Sequence, residues 1–319
     1  MKIIVTGGAG FLGSHLCDRL IERGDNVYCI DNLITGNRDN IKHLEENPNF
    51  KFINHDVSED FPENLRSQIS DVKFIYHLAS PASPNKNNPK SYISFPFQTM
   101  KVNTVGTTVL CEFALREGAK LLFASTSETY GDPLEHPQKE TYRGNVSTTG
   151  PRAVYDEAKR FGETIVSAYV RSKNLDGRII RIFNTYGERM ADDGRVVIEF
   201  IKAALANKPF PIFGSGIQTR SFCYVSDLIE GIILAMERGA KGQVYNLGNP
   251  NEFSILELAE KVKKLTGVAS EIKTTESLPE DDPKMRCPDI TKARNELGWE
   301  PKVSLEEGLK KLIGYLKSR

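Results

Sequence analysis

Apolar positions along the first half of the chain follow two alternating spacings. Short runs rich in Val, Ile, Leu and Phe occupy residues 2–6, 26–30, 50–54, 72–78, 121–125 and 178–183. Runs of this length, apolar almost throughout, belong to strands buried on both faces of a parallel sheet. Between them the spacing lengthens to that of an amphipathic helix. Phe11, Leu12, Leu16, Leu20 and Ile21 mark the first such stretch. A short helix over 41–46, a long one over 98–117 and another over 151–171 follow. Strand and helix in regular alternation predict an α/β protein with a doubly wound parallel sheet.

Beyond residue 188 that regularity is lost. Short strands over 211–213 and 244–246 alternate with helices over 197–205, 227–237, 254–265 and 304–316. Two unequal units are expected: residues 1–187 form the sheet domain, and residues 188–319 are mainly a smaller substrate-binding portion, interleaved with the sheet's last strands. No repeat or low-complexity tract interrupts either unit. Pro81, Pro84 and Pro89 stiffen a long loop over 80–89 at the mouth of the sheet, a candidate lid. Trp299 is expected to anchor the C-terminal segment, and the acidic run 280–282 to be a solvated loop.

The 319 residues are 39% hydrophobic, enough for a proper core, and carry 42 basic and 42 acidic side chains. With no net charge there is no field to recruit nucleic acid or an anionic membrane. An anionic ligand has to be held locally, by arginines and backbone amides. Cys17, Cys29, Cys111, Cys223 and Cys287 contain no C-x-x-C pair, and reduced structural thiols are the expectation. The first strand begins at residue 2, and no apolar run approaches the roughly 18–20 residues that span a bilayer. A cytoplasmic protein with no membrane association and no metal centre is expected.

The chemistry begins where the first strand ends. Gly7, Gly10 and Gly13 give the spacing G-x-x-G-x-x-G between a strand and a helix. Gly7 permits the tight turn, Gly10 lets backbone amides approach a pyrophosphate, and Gly13 lets the helix pack closely on the sheet. The helix N-terminus then presents its positive dipole end to the anion. Asp31, closing the second strand, stands where a carboxylate meets the adenosine ribose diol and repels a 2′-phosphate, which favours NAD over NADP. Ligands of parallel sheets lie beyond the carboxyl ends of strands, so Leu78, Ala79 and Ser80 are expected to line the nicotinamide half. His77, inside its strand, is expected to be a core histidine. These features describe a Rossmann-type NAD-binding sheet.

Tyr155 and Lys159 stand four residues apart on one predicted helix and so share a face. A tyrosine must fall from about 10 towards 7 to act as a base at neutral pH, on the order of 4 kcal/mol. A neighbouring ammonium and the cationic ring of an oxidised nicotinamide both favour the phenolate. Lys159 can also hold the nicotinamide ribose.

The opening TGGAGFLGSHL (residues 6–16), with Tyr155 and Lys159 one strand–helix unit beyond Ser125-Thr126-Ser127, resembles the extended branch of the short-chain dehydrogenase/reductase superfamily. That resemblance implies cofactor contacts from Phe11, Leu12, Asn32 and Val57 beside the glycines and Asp31. It also implies that Thr126 shares the substrate hydroxyl's proton with Tyr155. Asp56 either meets the adenine edge, as in that branch, or makes an Asx turn leading into Glu59.

The neighbours of Thr126 narrow the resemblance. Nucleotide-sugar 4,6-dehydratases have Thr-Asp-Glu at this place, and 4-epimerases usually have no acid at either position. Thr126-Ser127-Glu128 is similar instead to the UDP-glucuronate decarboxylases, or UDP-xylose synthases. The similarity continues through HLASPASP (77–84), STSETYGDP (125–133), GPRA (150–153) before Tyr155-Asp156-Glu157, RIFNTYG (181–187), DGRVV (193–197), QTRSFCYVSD (218–227) and residues 282–290. Val154 and Ala158 depart from that family's common Cys and Gly. The resemblance implies that Tyr155 deprotonates the C4 hydroxyl of UDP-glucuronate while NAD takes a hydride. Carbon dioxide then leaves the β-keto acid, its electrons flowing to an O4 enolate stabilised by Tyr155 and Thr126. Protonation at C5 and return of the hydride give UDP-xylose. Glu128 and Arg286 serve the decarboxylation half, with Ser127 in support; the other reading of Arg286 is an ion pair with the adjacent acidic run. Pro81, Asn184, Arg195, Val196, Val197 and Arg220 join Glu128 and Arg286 around the UDP-sugar. A homodimer packed through the helices over 98–117 and 151–171 is also implied. A 4-epimerase or 4,6-dehydratase is the alternative enzyme, and an NAD-sensing binding protein is the alternative outside catalysis.

Overall fold

A computed structural model describes residues 1–276 and 285–318, and strands stand where the apolar runs predict them. In chain order these are β1 (Lys2–Thr6), β2 (Asn26–Asp31), β3 (Phe50–Asn54), β4 (Phe74–His77), β5 (Lys120–Thr126) and β6 (Gly177–Ile182). They are followed by β7 (Thr185–Tyr186), β8 (Phe210–Phe213), β9 (Thr219–Ser221), β10 (Cys223–Tyr224), β11 (Val244–Leu247), β12 (Glu252–Ser254) and β13 (Ile272–Glu276). Among the described residues, seven of them form one parallel sheet in the order β11-β6-β5-β4-β1-β2-β3. Alternation along β1 shows why the runs are apolar throughout. Ile3 and Val5 enter one core with Leu16 and Leu20, whereas Ile4 enters a second with Ile75, Leu121 and Phe123.

The helices are α1 (Phe11–Glu22), α2 (Glu63–Gln68), α3 (Pro96–Lys101), α4 (Thr107–Glu117), α5 (Ala153–Lys173), α6 (Val196–Leu205), α7 (Val225–Arg238), α8 (Ile255–Thr266) and α9 (Leu305–Lys317). α1 and α7 meet on the first face of the sheet, and α4 and α5 on the second. Strand order reverses between β1 and β4, whose last residues Thr6 and His77 are register partners. Such a switch point opens a crevice at the carboxyl ends of the strands.

Three elements differ from expectation. β4 is shorter than 72–78, although Lys73 and Leu78 still donate to Lys2 O (2.9 Å) and Thr6 O (3.1 Å) of β1. The helix expected over 41–46 is a pair of 3₁₀ turns, Arg38–Asn40 and Lys42–Leu44. The long helix over 98–117 is broken by a π turn, Val102–Gly106, between α3 and α4. Side chains there compete with the helical ladder. Asn103 Nδ2 donates back to Thr99 O (2.8 Å), and the hydroxyls of Thr104 and Thr107 donate to Met100 O and Asn103 O (2.8 Å each). α2, β7, β9, β10, β12 and β13 have no counterpart in the expected elements; α2 spans less than two turns with Leu65 its buried apolar residue.

After residue 188 the chain adds the small ladders β8–β13 and β9–β12, packs α6 against α8, and sends β11 back beside β6. Trp299 anchors the last segment: its Nε1 donates to Asp227 O (2.8 Å), and a Cβ added to Gly231 would come within 2.8 Å of the indole. The acidic run 280–282 lies outside the described residues. All five cysteines are buried and unpaired. No helix among the described residues is long and apolar enough to cross a membrane.

Candidate active site

The turn after β1 is shaped by close approaches. Gly7 has φ +71° and donates to Ile30 O (2.8 Å), and a Cβ there would meet Ala79 Cα at 2.8 Å. A Cβ on Gly13 would meet Gly8 Cα at 2.7 Å, so Gly13 lets α1 close onto the glycine turn itself. Gly10 caps α1 without a side-chain bond, and no acid stands in the first turn. An added Cβ on Gly10 would find only Gly7 O within 4 Å, at 3.1 Å. First-turn amides, Phe11 and Leu12 among them, lack intrahelical partners. Open backbone and the positive helix end together fit a diphosphate.

Asp31 is buried, with Oδ2 accepting the Ala9 amide (3.0 Å) and Oδ1 the Leu33 amide (2.8 Å). Each oxygen keeps a lone pair for a ribose hydroxyl. Burial raises this carboxyl above its ordinary value, against those two bonds. Room for it depends on Gly36, where an added Cβ would lie 2.8 Å from Asp31 Oδ1. The sequence marks Gly36 only as a loop breaker. Asp56 makes the Asx turn, accepting the Ser58 amide (2.9 Å) and hydroxyl (2.6 Å), and also receives Asn32 Nδ2 (3.2 Å). Val57 is buried in the core on the α4 side. At the end of β4, Ala79 abuts Gly7, and Ser80 is held by Asn103 Nδ2 (2.9 Å). This is what the π turn achieves, and π turns concentrate at functional sites.

β5 ends at Thr126, and Ser127–Tyr130 form one 3₁₀ turn, which brings Ser127 and Glu128 to the sheet mouth. Thr126 Oγ1 accepts the Glu128 amide (3.2 Å), and the Thr126 hydroxyl lies close enough to favour the Tyr155 phenolate. The Tyr155 ring stacks on Tyr92 at 4.8 Å and 7°. Lys159 turns its charge elsewhere: Nζ donates to Ala124 O (2.7 Å) and lies 5.8 Å from the Tyr155 ring centroid. The expected fall of the Tyr155 phenol is therefore not present in the protein alone. Burial raises it above its ordinary value, Glu128 adds to this, and the nearby Thr126 hydroxyl opposes only in part. Burial likewise lowers Lys159 to about 7, against the pull of Glu163. His77 is a core residue, as expected, with Nδ1 2.9 Å from Thr6 Oγ1 and Nε2 3.2 Å from Thr107 Oγ1. Burial, then repulsion from Lys159, lowers it to about 3.

Beyond Tyr155 lies a cavity lined by Glu128, Gly131, Arg152, Asp156 and Arg286, among others. Arg152 Nη2 meets Glu128 Oε2 at 2.5 Å, and Arg286 Nη1 pairs with Oε1 from 158 positions away. Arg286 Nη2 also donates to Gly131 O (3.2 Å), while its Nε is buried without a partner. Burial opposes the charge on Glu128, but Arg286 and then Arg152 outweigh it and hold the carboxyl at about 2. Arg286 thus pairs with Glu128. Arg152, Asp156 and Tyr92 were not among the expected site residues; the signal for the first two was their place within three residues of Tyr155.

The remaining sugar-nucleotide candidates come from other segments. Arg195 grips Asp193 with Nε (2.9 Å) and Nη2 (2.8 Å), and its guanidinium lies 6.0 Å from the Phe11 ring centroid. Val196 and Val197 follow it as the first residues of α6. Arg220 is buried, donates to Thr219 O (2.8 Å), and its field reaches Glu128. Asn184 follows β6, its carbonyl accepting the Cys223 amide (2.9 Å). Pro81 is buried, its carbonyl accepting Ser80 Oγ (2.9 Å). The loop over 80–89 is tied down through Ser83 Oγ, which donates to Asp193 O (3.2 Å) beside Arg195.

A glycine turn for a dinucleotide, with threonine, tyrosine and lysine at the mouth of a parallel sheet, defines an extended short-chain dehydrogenase/reductase. The family model described as GDP-mannose 4,6 dehydratase matches residues 4–312. UDP-glucuronic acid decarboxylase 1 of Arabidopsis thaliana is 50% identical over 320 residues, spanning 100% of this chain and 70% of that protein. The solved UDP-glucose 4-epimerase of Thermotoga maritima, with UDP-glucose, has a TM-score of 0.89 at 33% identity, covering 100% of this chain and 99% of its own. The UDP-glucuronic acid 4-epimerase of Bacillus cereus, in complex with UDP-glucuronic acid and NAD, has a TM-score of 0.86 at 32% identity, again over 100% and 99%. The chain belongs to the GDP-mannose 4,6-dehydratase family and, within it, to the UDP-glucuronic acid decarboxylases.

Proposed function

We propose that the protein decarboxylates UDP-glucuronate to UDP-xylose with NAD as its resident cofactor. When bound, NAD supplies the acceptor for a hydride from C4 of the sugar, and a positive nicotinamide that favours the Tyr155 phenolate. The chain's own residues handle protons and charge. Tyr155, with the Thr126 hydroxyl beside it, takes the C4 hydroxyl proton. Once C4 is a ketone, the C5 carboxylate is β to a carbonyl and leaves as carbon dioxide. Tyr155 and Thr126 donate to O4 as its charge develops.

The observation that carries this reading is Glu128 held between Arg152 and Arg286 beside Tyr155. The two cations attract a sugar carboxylate, while the fixed Glu128 anion repels it more than it repels neutral carbon dioxide. A 4,6-dehydratase needs an acid where Ser127 stands, and a 4-epimerase needs no Glu128. Asn184, Arg195 and Arg220 are proposed to hold the diphosphate, with the sugar nucleotide between residues 1–187 and 188–319. Phe97 and Phe161, 76% and 56% exposed on α3 and α5, support a homodimer through those helices. Five buried, unpaired cysteines support a cytoplasmic location.

The test is to incubate the purified protein with UDP-glucuronate, without added NADH, and follow the nucleotide sugar by mass spectrometry. UDP-pentose with no net NADH is the expected outcome. Unchanged mass with a new sugar isomer would mean a 4-epimerase and refute the reading.

A further inference from the structure

Asp156 is an ionisable group in the site cavity that the scheme above leaves unused. It lies in the first turn of α5, directly after Tyr155, and is 6% exposed. Its Oδ1 is fully buried with no hydrogen-bond partner. It lines the same cavity as Glu128, Arg152 and Arg286. The groups that act on it are Glu128 from the turn after β5, Arg286 from the segment 285–287, Arg152 just before α5, and Glu157 from its own helix. The phenols of Tyr155 and Tyr92 face it as well. Both arginines are engaged by Glu128, and among the described residues neither forms an ion pair with Asp156.

Two carboxyl groups in one cavity thus have opposite surroundings. Glu128 is clamped by two cations and held at about 2. Burial and then the Glu128 charge push Asp156 up to about 8, against the pull of Arg152 and Arg286. Titratable neighbours driven apart in this way mark separate proton roles.

We propose that Asp156 is the acid that protonates C5 of the sugar once carbon dioxide has left. This rests on the decarboxylase reading. Loss of carbon dioxide leaves an electron pair delocalised over C5 and O4. The C5–H bond forms from that pair as the O–H bond of Asp156 breaks, directly or through one water. Solvent then returns the proton that the net reaction consumes. Glu128, fixed as a carboxylate, has none to give, and Tyr155 is occupied at O4.

The test uses the holoenzyme, Asp156→Asn and Asp156→Glu with UDP-glucuronate in deuterium oxide, with products followed by mass spectrometry and NMR. Wild type is expected to place one deuterium on one side of C5, and its UDP-xylose formation to fall above about pH 8 as the acid loses its proton. Asp156→Asn keeps volume and is expected to fold and bind NAD, to form UDP-xylose about 100-fold more slowly, and to lose the alkaline limb. Its C5 deuterium should be distributed over both positions. Asp156→Glu should recover at least about tenfold of the rate, since it restores an acid there. Wild-type rates with one-sided deuterium in Asp156→Asn would overturn the assignment. So would a wild-type profile with no alkaline limb, whatever the variants do. No carbon dioxide from wild type would instead sink the decarboxylase reading, and the assignment with it.

Discussion

Replacing Arg286 with Met tests whether the Glu128 cluster is held by charge. Glu128 has only 16% of its side chain exposed, so solvent screens the cluster little. The interval between the ordinary glutamate value of about 4.3 and the value of about 2 to which the two arginines hold Glu128 corresponds to about 3 kcal/mol. Because the folded value is depressed, that stability is fully present above about pH 4.3 and is lost as pH falls towards 2. Removing one partner of a buried pair costs about 3–5 kcal/mol. Arg152 remains at 2.5 Å, so the low end, about 3 kcal/mol, is expected. An unfolding entropy of about 2.1 cal/mol/K per residue gives ~0.7 kcal/mol/K for 319 residues, hence a fall in Tm of roughly 4–5 °C. The assay is thermal denaturation at pH 7 with saturating NAD for every variant. The deficit should shrink as the pH is lowered below about 4, where Glu128 is protonated in the unfolded chain. Arg286→Met combined with Glu128→Gln should recover at least half of the loss, because the buried Glu128 charge is then removed along with the cation that Met replaces. A single variant within 1 °C of wild type, or a double variant that loses the sum of the two singles, would refute the reasoning.

Tyr155→Phe should abolish turnover while NAD remains bound, and substantial residual conversion of UDP-glucuronate would remove Tyr155 as the base. Gly36→Ala places a methyl 2.8 Å from Asp31 Oδ1; displacing a carboxylate held by two amides should cost about 1–3 kcal/mol of NAD binding, a rise in Kd of roughly 5–150-fold by calorimetry. An unchanged Kd would show that Asp31 does not meet the cofactor. Phe161→Glu puts a charge on the exposed face of α5 and should convert a dimer to a monomer in light scattering, with the far-UV circular dichroism of the fold kept because Phe161 is exposed in the single chain. A dimer that survives this change would place the interface elsewhere.

The six strands of the alternating half, the glycine turn and the Tyr155–Lys159 pair were legible in the chain because each depends on local spacing. A five-residue apolar run has to be buried on both sides, and residues four apart on a helix share a face. Resemblance to a family then brought Thr126, Glu128 and Arg286 together on paper. What tertiary structure alone decided depends on segments far apart in sequence. It added Arg152, 24 positions from Glu128, as a second cation on that carboxylate, and set the contact of Arg286 with it across 158 positions. It also set the space that Gly36 leaves for Asp31, and the break at Asn103 that secures Ser80. The expected lowering of the Tyr155 phenol is absent from the protein alone for the same reason. A charge four residues away in sequence acts only along the line its side chain takes, and Lys159 Nζ turns to Ala124 O while burial pushes the phenol up. Periodicity specifies which face a residue occupies; the sign of an electrostatic shift depends on burial and on every charge within a few ångströms, which only the folded chain brings together.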